Sequence, residues 1–308
     1  MRKGPIKTIL AMGSSLALLV GAGWLGFRIK PAPLPPHPER TPELITAELP
    51  SDLPEPVRRH FRATLDAQVP RIETAVVWGR ANFKVNGLWV PMRLKAYCVS
   101  GREFRRDMEI TWFGMPVLRG NDAYLDGKGR LDITGLVNMS DEGEKIDQGE
   151  NLAMWGEAPF TTPSVLVLDP RLRWEPLDAT FARLIVPFVN GEETLRVEFH
   201  SQTGLMRSMF GMRYRGQEET KTPGRGEYSE WKKLHGIKVP HRGMAMWEDQ
   251  QEPYIIFEIE GAEYNVDVSG KIPGAVPRQD AADAGMSRGN APPTSGRNRT
   301  IRKEVSRQ

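Results

Sequence analysis

The sequence predicts a mainly β, α+β protein: a large curved antiparallel sheet or half-open β-barrel with two or three short helices, preceded by one N-terminal transmembrane helix. Three observations carry this. Met108, Ile110 and Trp112 alternate with Asp107, Glu109 and Thr111, and Leu195, Val197 and Phe199 alternate with Arg196, Glu198 and His200, the period of a strand with one apolar face. Asn86-Gly87, Asp126-Gly127, Thr203-Gly204 and His235-Gly236 lie between strand-like runs, where a hairpin turn wants φ above zero. Thr8 to Phe27 is a run of twenty residues without a charge, and as a helix it would match the roughly 30 Å of a bilayer's hydrocarbon layer.

Arg2, Lys3 and Lys7 precede that run, and Arg28 and Lys30 follow it. The balance favours a cytoplasmic N-terminus and a single-pass protein of the bacterial inner membrane, with the bulk of the chain on the extracytoplasmic side. The alternative is a signal peptide cut near Gly21-Ala22-Gly23 and a secreted product. Gly21 to Gly26 also matches the dinucleotide-binding pattern of spaced glycines, but these lie inside the apolar run with no strand before them. Residues 1–30 are thus read as the anchor. Pro31, Pro33, Pro35, Pro36, Pro38 and Pro42 then predict an extended, polyproline-like stalk over residues 31–50. A β-rich extracytoplasmic domain follows over 51–268, and a basic, disordered tail over 269–308.

Within the domain, Pro54 to Leu65 places Val57, Phe61 and Leu65 on one helical stripe, with Ser51 or Asp52 available to cap. Strands are expected over 72–85, 89–99, 107–112, 117–125, 130–137, 181–188, 195–200, 205–214, 228–234, 243–247 and 254–264. A helical stretch over Asp147 to Leu168 should be broken by Pro159 and Pro163 into two short pieces, the second capped by Thr162. Long helices do not alternate with strands, which excludes a doubly wound α/β fold.

Composition narrows the chemistry. The 308 residues are 39% apolar and 26% charged, with a formal net charge of +3. Residues 1–30 carry five basic and no acidic side chains and residues 271–308 carry eight basic and three acidic, leaving about −7 for the body between. That body has no electrostatic reason to bind nucleic acid. The single cysteine, Cys98, excludes an intrachain disulfide and a multi-cysteine metal site. His37, His60, His200, His235 and His241 lack metal-ligand spacing on a helix, although His235 and His241 flank one turn. Asp122, Asp126 and Asp132 recur across a hairpin without the oxygen pattern of a calcium loop. Glu157, among Trp155, Phe160 and apolar neighbours, is a candidate polar site that pairs with Arg213 or another basic residue or faces water, with a hydrolase the lesser reading. No catalytic residue, metal or cofactor is assigned.

The order of Leu53-Pro54-Glu55-Pro56-Val57-Arg58-Arg59-His60-Phe61, Gly149-Glu150 through Glu157 to Pro163, and Trp174-Glu175-Pro176-Leu177-Asp178 resembles an uncharacterised bacterial family of membrane-anchored proteins. The resemblance continues through Tyr228 to Trp231, Gly236-Ile237-Lys238-Val239-Pro240 and Gly261-Ala262-Glu263-Tyr264, and covers most of residues 51–268. The domain is similar to the LolA-type lipoprotein carriers in its succession of strands and broken helical lid, which implies a curved sheet and supplies no catalytic residues.

Met92, Met108, Met206, Met209, Met212, Met244 and Met246 all sit in strand-like runs, and flexible thioethers suit a pocket for acyl chains of varied shape. With so little helix to cover a wide sheet, the concave face needs a filling. Met108, Ile110, Trp112, Leu195, Val197 and Phe199 are expected to line a cavity, with Trp155 and Val165 in its lid. The expected partner is a lipid, acyl group or other apolar ligand, together with the membrane through Thr8 to Phe27. The alternative is an envelope sensor or assembly protein that binds another protein and has no cavity.

Overall fold

The computed structural model describes residues 21–189 and 191–275. Fifteen strands and three helices follow residues 21–26, which are helical. They are β1 (Thr46–Glu48), α1 (Glu55–Thr64), β2 (Gln68–Pro70), β3 (Thr74–Val85), β4 (Leu88–Val99), β5 (Glu103–Trp112), β6 (Met115–Leu125), β7 (Lys128–Gly135), β8 (Met139–Glu142), α2 (Glu144–Thr161), α3 (Val165–Leu168), β9 (Arg173–Pro176), β10 (Phe181–Phe188), β11 (Gly191–Phe199), β12 (Met206–Tyr214), β13 (Lys221–Leu234), β14 (Ile237–Trp247) and β15 (Ile255–Tyr264). β1 and β2 form a small pair. The other thirteen strands make one curved antiparallel sheet, in the order β8-β7-β6-β5-β4-β3-β15-β14-β13-β12-β11-β10-β9. It has two edges, β8 and β9, and does not close into a barrel.

The hairpins form where the turn chemistry places them. Asn86 and Gly87, Asp126 and Gly127, and His235 and Gly236 all have positive φ. β13 begins earlier than expected because Pro223-Gly224-Arg225-Gly226 has little β-propensity of its own, and the ladders from β12 and β14 on either side impose it. α1 buries the expected Val57, Phe61 and Leu65 stripe, but its N-cap is Pro54 with no side-chain cap, so Ser51 and Asp52 do not serve.

α2 corrects the expected break. It runs unbroken for 18 residues with Pro159 inside it, because a proline in the last turn forfeits only one hydrogen bond near an end that frays anyway. Thr162 caps its C-terminus instead of starting the next piece, and the chain turns at Pro163 into α3. Two sheet glycines let α2 lie close: a Cβ on Gly129 would stand 2.7 Å from the Ile146 carbonyl oxygen, and one on Gly243 would strike the Phe160 ring.

The convex face of the central strands is also covered. Val76, Trp78 and Val99 pack there with Val266, Val268, Ile272 and Ala275, so the fold extends to 275 and the expected boundary at 268 is too early. The proline-rich segment is likewise no free stalk. Carbonyls of Pro31 and Ala32 accept from Arg80 and Arg93, the Glu263 carboxylate accepts from Arg40 and Thr41, and Glu39 accepts from the Asp267 N–H. Prolines leave their neighbours' carbonyls without intrasegment donors, and sheet arginines supply them. No helix among the described residues is long and apolar enough to cross a membrane. Most of the Thr8 to Phe27 run, and the chain beyond Ala275, lie outside the described residues.

Candidate functional site

The concave face divides into a packed end and a hollow one. Ala75, Cys98, Phe104 and Tyr124, at one end of β3–β6, pack with α1–α3 and with β10–β12 into the main core. α2 is held over that end, where Asp147 accepts from Lys128 and the Gly129 N–H, and Asn151 donates to Tyr124 Oη. On the far half it rides over β11 and β12, with Gln148 donating to Glu193 and to the Met212 carbonyl. The opposite end of β3–β7, toward the hairpins at 86–87, 113–114 and 136–138, is left open beneath it.

There a cavity of about 510 Å³ remains between sheet and helix. Folded interiors leave few voids larger than one water, so this is no packing defect, and it falls within the range of small-molecule sites. Phe83, Met92, Met108, Ile110, Leu118 and Ile133 form one wall, and Leu152, Phe160, Leu195, Met209, Met244 and Phe257 are among the residues opposite. Five of the seven strand methionines line it; Met206 is buried in the core and Met212 is exposed.

Of the expected lining, Met108, Ile110 and Leu195 face the cavity, as do Glu157 and Arg213. The other five do not. Trp112 ends β5 at a hairpin tip, where its indole lies against Gly26 instead of the cavity, and the register shift beside it places an extra residue, Val117, on β6. Val197 and Phe199 keep their parity, but β11 carries them beneath the packed end, where the Phe199 ring meets His60 and Trp174. Trp155 and Val165 also belong to the core, since α2 is buried on the core side as well as over the cavity.

The polar groups at the floor were only partly foreseen. Glu157 does not pair with Arg213: both its oxygens accept from Arg106 Nη1 at 2.7 Å. The same guanidinium donates from Nε to Asp122 at 3.0 and 3.2 Å and lies against the Phe104 and Phe257 rings. This buried triad joins β5, β6 and α2. Asp126 and Asp132 do not converge with Asp122: Asp126 occupies a turn, and Asp132 accepts from Arg130 and Ser140. His235 lies 2.9 Å from the Ala262 carbonyl, apart from His241, and no group of three possible metal ligands occurs among the described residues. Cys98 is buried, and burial pushes its thiol up to about 12.

Glu150, one face along α2 from Glu157, is the group the sequence reading passed over. Burial, helped by the Asp122 charge and opposed by Arg213, pushes its carboxyl up to about 8. The heptad spacing of Glu150 and Glu157, and the inward parity of Arg106 beside Met108, are the signals that could have found this cluster. Arg213 lies across the cavity at the Gly149 turn of α2 and over the Trp247 ring. Its Nε is buried without a hydrogen-bond partner, as are those of Arg215 and Arg225, but those two each have a carboxylate on the guanidinium, and Arg213 has no such ion pair among the described residues.

Solved structures similar to this one include a DUF1329 family protein from Desulfovibrio piger (10% identity, 64% of this chain and 88% of that one, TM-score 0.39), a structure described as an outer membrane lipoprotein-sorting protein domain from Vibrio parahaemolyticus (9%, 70% and 91%, 0.41), and a LolA superfamily protein from Nitrosomonas europaea (7%, 68% and 91%, 0.38). No curated protein matches the chain. The model of a family of unknown function, DUF6544, matches residues 43–259, and the chain belongs to that family.

Proposed function

We propose that this protein holds an acyl-bearing amphiphile in the cavity under α2, without catalysis, while tethered through Thr8 to Phe27 on the extracytoplasmic side of the bacterial inner membrane. The observation that carries the reading is the apolar hollow of about 510 Å³ that the chain's own side chains leave unfilled. Binding would be driven by removing apolar area from water, at roughly 25 cal/mol per Å². Arg213, whose buried Nε has no partner, supports an acidic head on the ligand, because a guanidinium that has lost water gains most from a carboxylate or phosphate. A hydrolase using Glu157 is disfavoured, because both its oxygens are taken by Arg106.

The test is a chain beginning at Arg28, which keeps the packed proline-rich segment, purified without detergent and extracted for mass spectrometry. An acidic, acyl-bearing lipid near one per chain is expected, and Arg213→Gln should weaken binding of a fluorescent fatty acid roughly tenfold. A chain that carries no lipid and takes up no fatty acid would sink the reading.

A further inference from the structure

Large apolar side chains left exposed by a sheet are ordinarily scattered. Here they gather. Val85 and Leu88 flank the β3–β4 turn, Trp112, Phe113 and Met115 form the β5–β6 tip, and Leu136, Val137 and Met139 form the β7–β8 connection. All eight are exposed, with Leu136 at 81%, Met115 at 68% and Leu88 at 59%. β8 through β3 are consecutive in the sheet and antiparallel, so the three tips lie side by side at one end. That is also the end where α2 leaves the cavity uncovered. Phe83, Ile110, Leu118 and Ile133, all lining the cavity, stand within two or three residues of Val85, Trp112, Met115 and Leu136, so apolar side chains reach from the cavity mouth to the tips.

The occupant of this rim is indicated by the chain itself. The last residues of the uncharged Thr8 to Phe27 run end against the middle tip: Trp112 Nε1 donates to the Gly23 carbonyl at 3.0 Å, and the Phe113 N–H donates to that of Gly26 at 2.9 Å. Trp24 and Leu25 beside them are exposed. The same end of the other half of the sheet is polar and ion-paired: Glu219 lies on Lys145, Asp249 on Arg215, Glu248 on Arg225 and Glu252 on Lys84. One half thus suits hydrocarbon and headgroups, and the other suits water.

We infer that the three hairpin tips are a membrane-docking edge, which seats the uncovered end of the cavity in the interfacial layer of the bilayer. The ligand passes between bilayer and cavity along a continuous apolar surface. This rests on the tethering in the function proposed above.

The full chain is reconstituted in phosphatidylcholine vesicles with single environment-sensitive labels at Leu88→Cys, Met115→Cys or Leu136→Cys. Matched controls are Leu177→Cys and Gln202→Cys at the opposite end of the sheet. Cys98 stays unlabelled, being buried with its thiol pushed up to about 12. Tips buried about 5–10 Å into the headgroup boundary should give blue-shifted emission, quenched about twofold or more over controls by spin-labelled lipid. Water-like emission at all three tips in chains that float with the vesicles overturns the inference and leaves the tether intact. A blue shift without lipid quenching, meaning a second copy or another protein on the rim, also overturns it. Insertion of the tips by chains whose cavity holds no lipid would support the edge and reject the ligand reading.

Discussion

A buried histidine and a half-buried carboxyl in the cavity wall set opposite limits on stability. Burial pushes the His60 imidazole down to about 3, with the Gly204 backbone opposing and Lys238 adding; it stays neutral in the fold and accepts from the Met206 N–H. The unfolded chain takes up that proton below about pH 6.5, so stability from His60 is complete above that pH and is lost as pH falls toward 3. Glu150 acts in reverse. With its carboxyl pushed up to about 8, the unfolded chain ionises from about pH 4.5 while the fold keeps its proton, so stability is lost as pH rises between those values. Calorimetric melting from pH 4 to 9 should therefore peak at about pH 5–6. His60→Gln should flatten the acid limb and Glu150→Gln the alkaline one; an alkaline limb unchanged in Glu150→Gln would show that the carboxyl is not protonated in the fold. Arg106 presents a sharper case. Arg106→Met would leave Asp122 and Glu157 as buried carboxylates without their cation, and urea unfolding should register a loss of about 3–5 kcal/mol. Glu157→Gln keeps an acceptor for Arg106 at a partly exposed end of the triad and should cost about 1–2 kcal/mol.

α2 is the element on which cavity and fold both depend, and it was legible only in outline. Pro159 reads as a breaker in any local account, and nothing local says that it will fall in the last turn. The helix carries no single apolar stripe because it is sandwiched: Trp155 and Ala158 face the core, while Gly149, Ala153 and Gly156 face the hollow. The strands were more legible, since a period of two survives any tertiary context, but parity says only which face a residue takes. It cannot say which stretch of that face a helix will cover, so Val197 and Phe199 were placed in the cavity. Nor can parity say where a strand outruns the cavity: Trp112 is the last residue of β5 and lies against Gly26. Gly156 offers a direct test of the helix as a lid. Its helical backbone has no positive φ, and a Cβ there would meet nothing within 4 Å. Gly156→Ala should raise stability by about 0.5–1 kcal/mol through helix propensity alone. Gly156→Leu should place a branched side chain where the ligand is proposed to lie and lower fatty-acid uptake while keeping the melting temperature. Unchanged uptake in a well-folded Gly156→Leu chain would put the ligand elsewhere.

At the scale of the molecule, a sheet of thirteen strands with a hollow concave face needs its convex face held by something other than helices, and the two chain ends supply it. Glu263 shows what that clamp does. It lies on β15 at 2% exposure, and burial alone would raise its carboxyl, yet the Thr41 hydroxyl and N–H and then Arg40 bring it below the usual range, with His235 adding. The Thr41 contacts are 2.6 and 2.7 Å and the Arg40 contact 2.9 Å. The residues matched by the family model begin at 43, two positions beyond this clamp. A chain cut to begin at Glu43 keeps β1 to β15 and α1 to α3 but leaves Glu263 with His235 as its remaining ionic partner. Hydrogen bonds to a charged group contribute about 1.5–3 kcal/mol each, and they are not additive, so its melting temperature should fall on the order of 10 °C below that of a chain beginning at Arg28. The sign with pH follows from burial. Without Arg40 and Thr41 the Glu263 carboxyl rises above its unfolded value, so the deficit should widen between pH 5 and pH 8, whereas a lost apolar contact would give a deficit independent of pH. Paired calorimetry of the two chains at those pH values separates the cases. Equal melting temperatures would make the proline-rich segment a passive strap on a sheet that stands without it.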